Sequence, residues 1–201
     1  MSNSIARHLQ KSGLLVLDAH RNALDILFTA RYLVKTHNVK VSMPLAGYVL
    51  HVPLMKQVTN WFIQTYQINF WPVYRREELY PTNLIMKFLC LFYPASLGLN
   101  ERKEANRHFV QGAIETCQKT GQVVLVAPYG SPLWFGQDIK NGVRKILQSK
   151  ATFIVSSSKW NWKKAKVTTK LGKLKQNKKL VDNKKIDQLV KNEFKSVITR
   201  C

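Results

Sequence analysis

The sequence predicts an α/β protein: a single domain with a mixed central sheet and helices on both faces. Three observations predict it. Apolar runs of strand length recur at residues 14–17, 122–126 and 151–156, continuous rather than alternating, as strands covered on both faces require. Segments of helical period separate them, which argues for strand–helix alternation. The chain has 201 residues and is 45% hydrophobic, long enough and apolar enough to bury a core as one domain spanning residues 1–201.

The elements follow in order. Residues 3–12 read as a short amphipathic helix, and 14–17 as a buried strand. Residues 22–35 are a helix, because Leu24, Leu27, Phe28 and Tyr32 fall on one face. Residues 39–43 alternate like a strand. Residues 47–62 are apolar and helical, with a break at Pro53. Residues 67–74 form a second strand, ending at the basic pair Arg75-Arg76. Residues 81–99 carry Phe88, Phe92 and Tyr93 in an apolar setting. Core is the expectation; the alternative is a patch that dips into a bilayer surface or lines an acyl-chain groove. Residues 101–119 are a helix with acids near its start, Lys119 in its last turn and Gly121 as its stop. A turn at 127–132 and a helix at 138–148 follow the strand at 122–126. Residues 166–171 alternate.

Charge sets the class of partner. The formal net charge is +21, so the surface seeks polyanions: nucleic acid, anionic lipid or phosphorylated metabolites. The excess concentrates in a lysine-rich C-terminal region, residues 159–201. Between positions 159 and 195, thirteen lysines stand against Asp182, Asp187 and Glu193, with Trp160 and Trp162 at the head. Such a region is either a solvated face or a contact with a membrane surface or nucleic acid. No P-loop, aromatic RNA-binding signature or zinc spacing supports nucleic acid, which makes it the lesser partner. The three cysteines, Cys90, Cys117 and Cys201, form no disulfide framework, so a reducing compartment is expected. The apolar stretch 88–99 is too short to cross a bilayer, and residues 1–10 lack the apolar core of a leader. The expected location is cytoplasmic, peripheral on the membrane surface. His8, His20, His37, His51 and His108 show no metal-ligand spacing, so no metal or bound cofactor is expected.

The chemistry concentrates at the first strand–helix junction. His20 follows the apolar run, and Asp25 follows it in a His-x-x-x-x-Asp spacing. A carboxylate on one imidazole nitrogen fixes the tautomer and frees the other nitrogen as a base. A competing reading makes Asn22 the helix cap and Asp25 a first-turn acid that serves the helix alone.

Read in order, these pieces resemble the glycerolipid acyltransferases of the lysophosphatidic acid acyltransferase type. His20 and Asp25 match that family's His-x4-Asp block. Pro72-Val73-Tyr74-Arg75 resembles its second block, a strand ending in arginine. Val126-Ala127-Pro128-Tyr129-Gly130-Ser131 resembles its third, and Asn141-Gly142-Val143 the helix start that follows. Phe153-Ile154-Val155 stands where a fourth strand falls. The order and gaps agree from about residue 12 to residue 175. The departures are Ala19 for the usual asparagine, Asn69 for a glycine, Tyr129 for the third block's glutamate and serines for the fourth block's proline.

The resemblance implies a glycerol-3-phosphate acyltransferase-like fold and an O-acyltransferase of phospholipid biosynthesis. The acyl donor would be acyl-CoA or acyl carrier protein. The acceptor would be the hydroxyl of a phosphorylated glycerol or lysophospholipid. His20 would be the general base and Asp25 its orienting partner. Arg75, with Arg76, would hold the acceptor phosphate. Pro128, Tyr129, Gly130 and Ser131 would form a substrate-binding turn, with backbone N–H groups of Gly130 and Ser131 toward phosphate or a developing oxyanion. An acyl-chain groove would come from residues 47–62 or 81–99. Two other readings stay open: a membrane-surface protein of the same fold with weak or no activity, fed by Tyr129, and a basic nucleic-acid-binding protein.

Overall fold

The computed structural model describes residues 2–19, 25–129, 139–149, 151–161, 166–176 and 182–198. It is an α/β protein with an open mixed sheet. The chain divides into two compact units, residues 1–41 with 113–201, and residues 42–112.

The first unit starts with α1 (Ser2–Leu9), β1 (Leu14–Asp18) and α2 (Asp25–His37). The strand β2 (Lys40–Ala46) begins in this unit and continues into the second. After the second unit come β4 (Gln122–Val126), α8 (Asn141–Gln148), β5 (Thr152–Asn161), β6 (Lys166–Leu171), β7 (Lys175–Gln176) and α9 (Asn183–Ile198). The strand order here is β4-β1-β5-β6, with β7 also on β5. β1 lies parallel to both β4 and β5, and β6 and β7 pair antiparallel with β5.

All five residues of β1 are buried, as are Val123 to Val126 of β4 and Phe153 to Ser158 of β5. Each such Leu, Val or Ile contributes roughly 1.5–3 kcal/mol relative to exposure. β5 runs five residues beyond the expected end at Ser156, because β6 pairs with it from Ser156 to Asn161. α2 packs on β1, β4, β5 and β6, and α9 packs on β5. The lysine-rich region therefore contains a helix with a core face: Ile186, Val190, Phe194 and Val197 are buried at spacings of four, four and three. A two-pronged ion pair ties α8 to α9. Arg144 donates from Nη2 to Asp187 Oδ2 at 2.6 Å and from Nε to Oδ1 at 3.0 Å. Lys175 pairs with Glu193 at 2.9 Å. Gly121 ends the turn before β4 with φ +67°, a conformation that glycine adopts without strain.

The second unit holds the rest of β2, α3 (Gly47–His51), α4 (Pro53–Tyr66), β3 (Asn69–Val73), α5 (Arg76–Leu79), α6 (Leu84–Cys90) and most of α7 (Leu99–Thr116). β2 and β3 are parallel. The expected break at Pro53 is where α3 ends and α4 begins, with Pro53 in the first turn. The core expected from residues 81–99 is absent. Leu84, Ile85, Phe88 and Leu91 are 84, 73, 60 and 77% exposed. The interior instead forms around Glu78, which is fully buried. Glu78 Oε2 accepts from the Tyr93 hydroxyl at 2.5 Å and from Tyr48 N–H at 3.1 Å, and Oε1 accepts from Arg75 N–H at 3.3 Å. Arg102 donates to the Glu78 carbonyl. Gly47 is required here: a Cβ at that position would lie 2.1 Å from the Tyr74 ring and 2.8 Å from Glu78 Oε2.

Candidate active site

The site is best built from β1. Its register sets Leu17 beside Val126 of β4 and Asp18 beside Ser156 of β5, all three strands running the same way. The chain thus leaves β1 and β4 at one common edge, at Ala19 and Ala127. Ala19 is held there by its N–H to Ser156 O at 2.9 Å. Strand ends at such an edge are rigid and open outward, the usual place for ligands in an open α/β sheet.

Asp25, the first residue of α2, is buried at 1% exposure. His20, Asn22, Gly130 and Ser131 lie outside the described residues. The segment bearing His20 joins two buried residues, Ala19 and Asp25. Pro128 and Tyr129 follow β4 and are both buried. Pro128 O accepts from Lys140 N–H at 2.9 Å, which ties this turn to the start of α8. The Tyr129 ring lies 6.0 Å from that of Phe194 on α9. Burial, and then the charge of Asp187, push its hydroxyl pKa up to about 12, so it stays protonated at neutral pH. Arg75 and Arg76 follow β3 in the second unit, and both are exposed. Arg75 caps α5 and Arg76 opens it. The hold of Glu78 on the Arg75 N–H fixes that backbone while leaving the guanidinium in solvent.

A polar network beside the first block escaped the sequence reading. Asp18 is fully buried at the end of β1. Its Oδ2 accepts from Thr29 Oγ1 at 2.6 Å and from Ser156 Oγ at 2.8 Å. Thr29 Oγ1 lies 2.7 Å from Ser158 Oγ, which lies 2.8 Å from Thr169 Oγ1. A hydroxyl has one proton, and Thr29 donates its proton to Asp18. Ser158 therefore donates to Thr29, and Thr169 donates to Ser158. The chain of donors runs one way, from β6 through β5 and α2 to the buried carboxylate of β1. A carboxylate removed from water needs such donors to replace the hydrogen bonds that it loses. The three serines that end the fourth block were the available signal: polar residues in a buried strand require partners.

Among the described residues, no three His, Cys, Asp or Glu side chains cluster as a metal site. The class that fold and site define is an α/β protein with a candidate site at the carboxyl edge of parallel strands. Compared with protein-family models and with curated proteins, the chain matches none.

Proposed function

We propose that this chain is an O-acyltransferase that moves a fatty acyl group from acyl-CoA or acyl carrier protein to a hydroxyl of a phosphorylated glycerol or lysophospholipid. The observation that carries the reading is the common strand edge. The His-x4-Asp block and the Pro128-Tyr129 turn leave adjacent parallel strands side by side, with Leu17 paired to Val126, and Asp25 is buried at the helix start.

In this reading His20 takes the acceptor's hydroxyl proton as the oxygen attacks the thioester carbonyl. The tetrahedral intermediate collapses, the C–S bond breaks, and the thiolate leaves with a proton returned from the imidazolium. Asp25 orients the ring and offsets its charge while it is protonated. General-base assistance of this kind is worth about 10²–10⁴-fold. Arg75 and Arg76 bind the acceptor phosphate, since guanidinium forks fit its oxygens. Gly130 and Ser131, with Pro128 and Tyr129 as frame, offer N–H groups to the oxyanion. Such an enzyme works in the cytoplasm on a membrane surface, in phospholipid biosynthesis; no helix among the described residues is long and apolar enough to cross a membrane.

The test is turnover and thermal midpoint for His20→Ala, Asp25→Asn and the double variant, with an acyl-CoA donor and a panel of glycerol phosphate and lysophospholipid acceptors. Each single variant should lose roughly 10²-fold or more, and the double should be little worse than His20→Ala, because paired groups act as a unit. A fully active Asp25→Asn protein with a slightly lower midpoint would leave Asp25 as a helix-capping acid and end the proposal.

A further inference from the structure

We infer that α4 and α6 of the second unit form the face by which this protein lies on an anionic lipid surface. The inference deepens the membrane part of the reading above and does not depend on acyl transfer. It starts from where the apolar residues are exposed. Every exposed large hydrophobic side chain among the described residues lies between positions 54 and 92. On α4 these are Leu54, Met55, Val58, Trp61 and Ile63. Leu54, Val58 and Trp61 follow one another at helical spacing, so they make a stripe. In and just after α6 they are Leu84, Ile85, Phe88, Leu91 and Phe92, again one stripe at spacings of three and four. Contiguous apolar surface of this kind marks a place where water is to be excluded.

The segments that flank the two stripes meet at one hub. His51 precedes α4 by two residues and Tyr93 follows α6 by three. Their rings stack edge-on at 5.0 Å, and Tyr93 is fixed by its hydroxyl on Glu78. The buried carboxylate thus ties α3, which leads into α4, to the segment that follows α6.

Charge chooses the occupant. Neither α4 nor α6 contains an acid; the one charged residue of each is an exposed lysine, Lys56 and Lys87. Trp61, Tyr80, Phe88 and Phe92 supply the aromatic rings that favour the headgroup zone. Apolar stripes whose own helices carry only cations, on a chain of net charge +21, fit the interface of a bilayer with anionic headgroups. The lysine-rich region is a lesser contact, because α9 spends one face on the core.

The experiment uses the full chain and vesicles of phosphatidylcholine, alone and with 30% phosphatidylglycerol on the order of cellular anionic content. Binding is read by co-sedimentation with no donor or acceptor present, so a chain inactive in acyl transfer still tests the docking face. Three variants are compared: Leu54→Gln/Val58→Gln/Trp61→Gln, Leu84→Gln/Ile85→Gln/Phe88→Gln, and the tail variant Lys173→Gln/Lys184→Gln/Lys185→Gln. The substituted side chains are exposed, and circular dichroism checks that each variant is folded. Each helix variant should bind the anionic vesicles at least tenfold more weakly, and the tail variant less than threefold. Lys56→Gln/Lys87→Gln should reduce the gain from phosphatidylglycerol without changing binding to phosphatidylcholine alone. Unchanged binding in both helix variants would overturn the inference. So would a wild-type dimer, seen by light scattering, that the helix variants dissolve while vesicle binding is absent; the face would then belong to a second copy.

Discussion

The two units solve the problem of burial in opposite ways. The first keeps its apolar residues inside: Leu14 to Asp18, Val123 to Val126 and Phe153 to Ser158 are buried, and Asp18 sits under a relay of hydroxyls. The second buries few apolar side chains, Met43, Ile68, Tyr74 and Phe109, and turns its large ones outward on α4 and α6. Its interior is held by a carboxylate instead. Hydrophobic burial is non-directional and tolerates repacking, whereas a charge in the interior demands each of its partners. Substitutions within the apolar strands of the first unit should therefore act gradually, and substitutions at the Glu78 hub of the second abruptly.

The sharpest way to break this contrast is Glu78→Leu. It removes the acceptor for Tyr48 N–H, Tyr93 hydroxyl and Arg75 N–H together. Leaving buried donors unmade costs about 1–3 kcal/mol each before relaxation. The expected result is loss of amide protection across residues 47–93 by hydrogen exchange, with residues 14–18 and 122–126 still protected. Uniform loss across both units would mean they do not differ in the way described. Gly47→Ala acts on the same hub by crowding Tyr74 and Glu78, and should destabilise by roughly 1–3 kcal/mol, read as a lower midpoint.

In the first unit the matching probe is Asp187→Asn, which strips the charge from the pair with Arg144. The two side chains are 11 and 15% exposed, so water screens part of the loss. Removing one partner of a buried pair costs about 3–5 kcal/mol at full burial; a value near 2 kcal/mol is expected here by urea titration. The same change removes the second cause of the raised Tyr129 pKa, so the phenol should titrate lower than in the parent.

The contrast also explains what could be read in the sequence. Strands 14–18 and 122–126 were legible because a continuous apolar run has few other uses; the expected helix stop at Gly121 came out shorter, since α7 ends at Thr116 and the Gly121 N–H bonds Leu9 O, although its positive φ is one that glycine favours. The His-x4-Asp spacing was legible as a pattern alone. α9 was hidden, since its lysines mask the Ile186, Val190, Phe194 and Val197 stripe. The stretch 81–99 read as core because composition reports how apolar a segment is and not which way it faces. Glu78 stood in an Arg-Arg-Glu-Glu run that looks like surface, and its partners Tyr48 and Tyr93 lie 30 and 15 positions away. The Asp18–Ser156 bond joins residues 138 apart, and no local pattern encodes such a meeting.

The smallest expected effect concerns acid. Burial lowers the pKa of both His37, in the first unit, and His51, in the second, below the usual 6.5, and the charge of Lys56 adds to the lowering at His51. A lowered folded pKa means that the unfolded chain binds protons first as pH falls. Stability is then complete above pH 6.5 and declines as pH drops from 6.5 toward the lowered folded values. The consequences differ between the units. His37 lies at the end of a helix packed on a wide sheet, whereas His51 Nε2 meets the Tyr74 hydroxyl at 3.3 Å and its ring stacks on Tyr93, inside the Glu78 hub. Protonating His51 leaves Nε2 able only to donate toward that hydroxyl and sets a second cation beside Lys56. Acidification from pH 7.5 to 5.5 should therefore loosen residues 47–66 in hydrogen exchange before residues 25–37. His51→Gln keeps a hydrogen-bonding group toward Tyr74 and cannot take up a proton, so it should flatten the response of 47–66 and leave that of 25–37 in place. An unchanged acid response in His51→Gln would place the acid-sensitive group elsewhere in the second unit, and the hub would then owe nothing to its histidine.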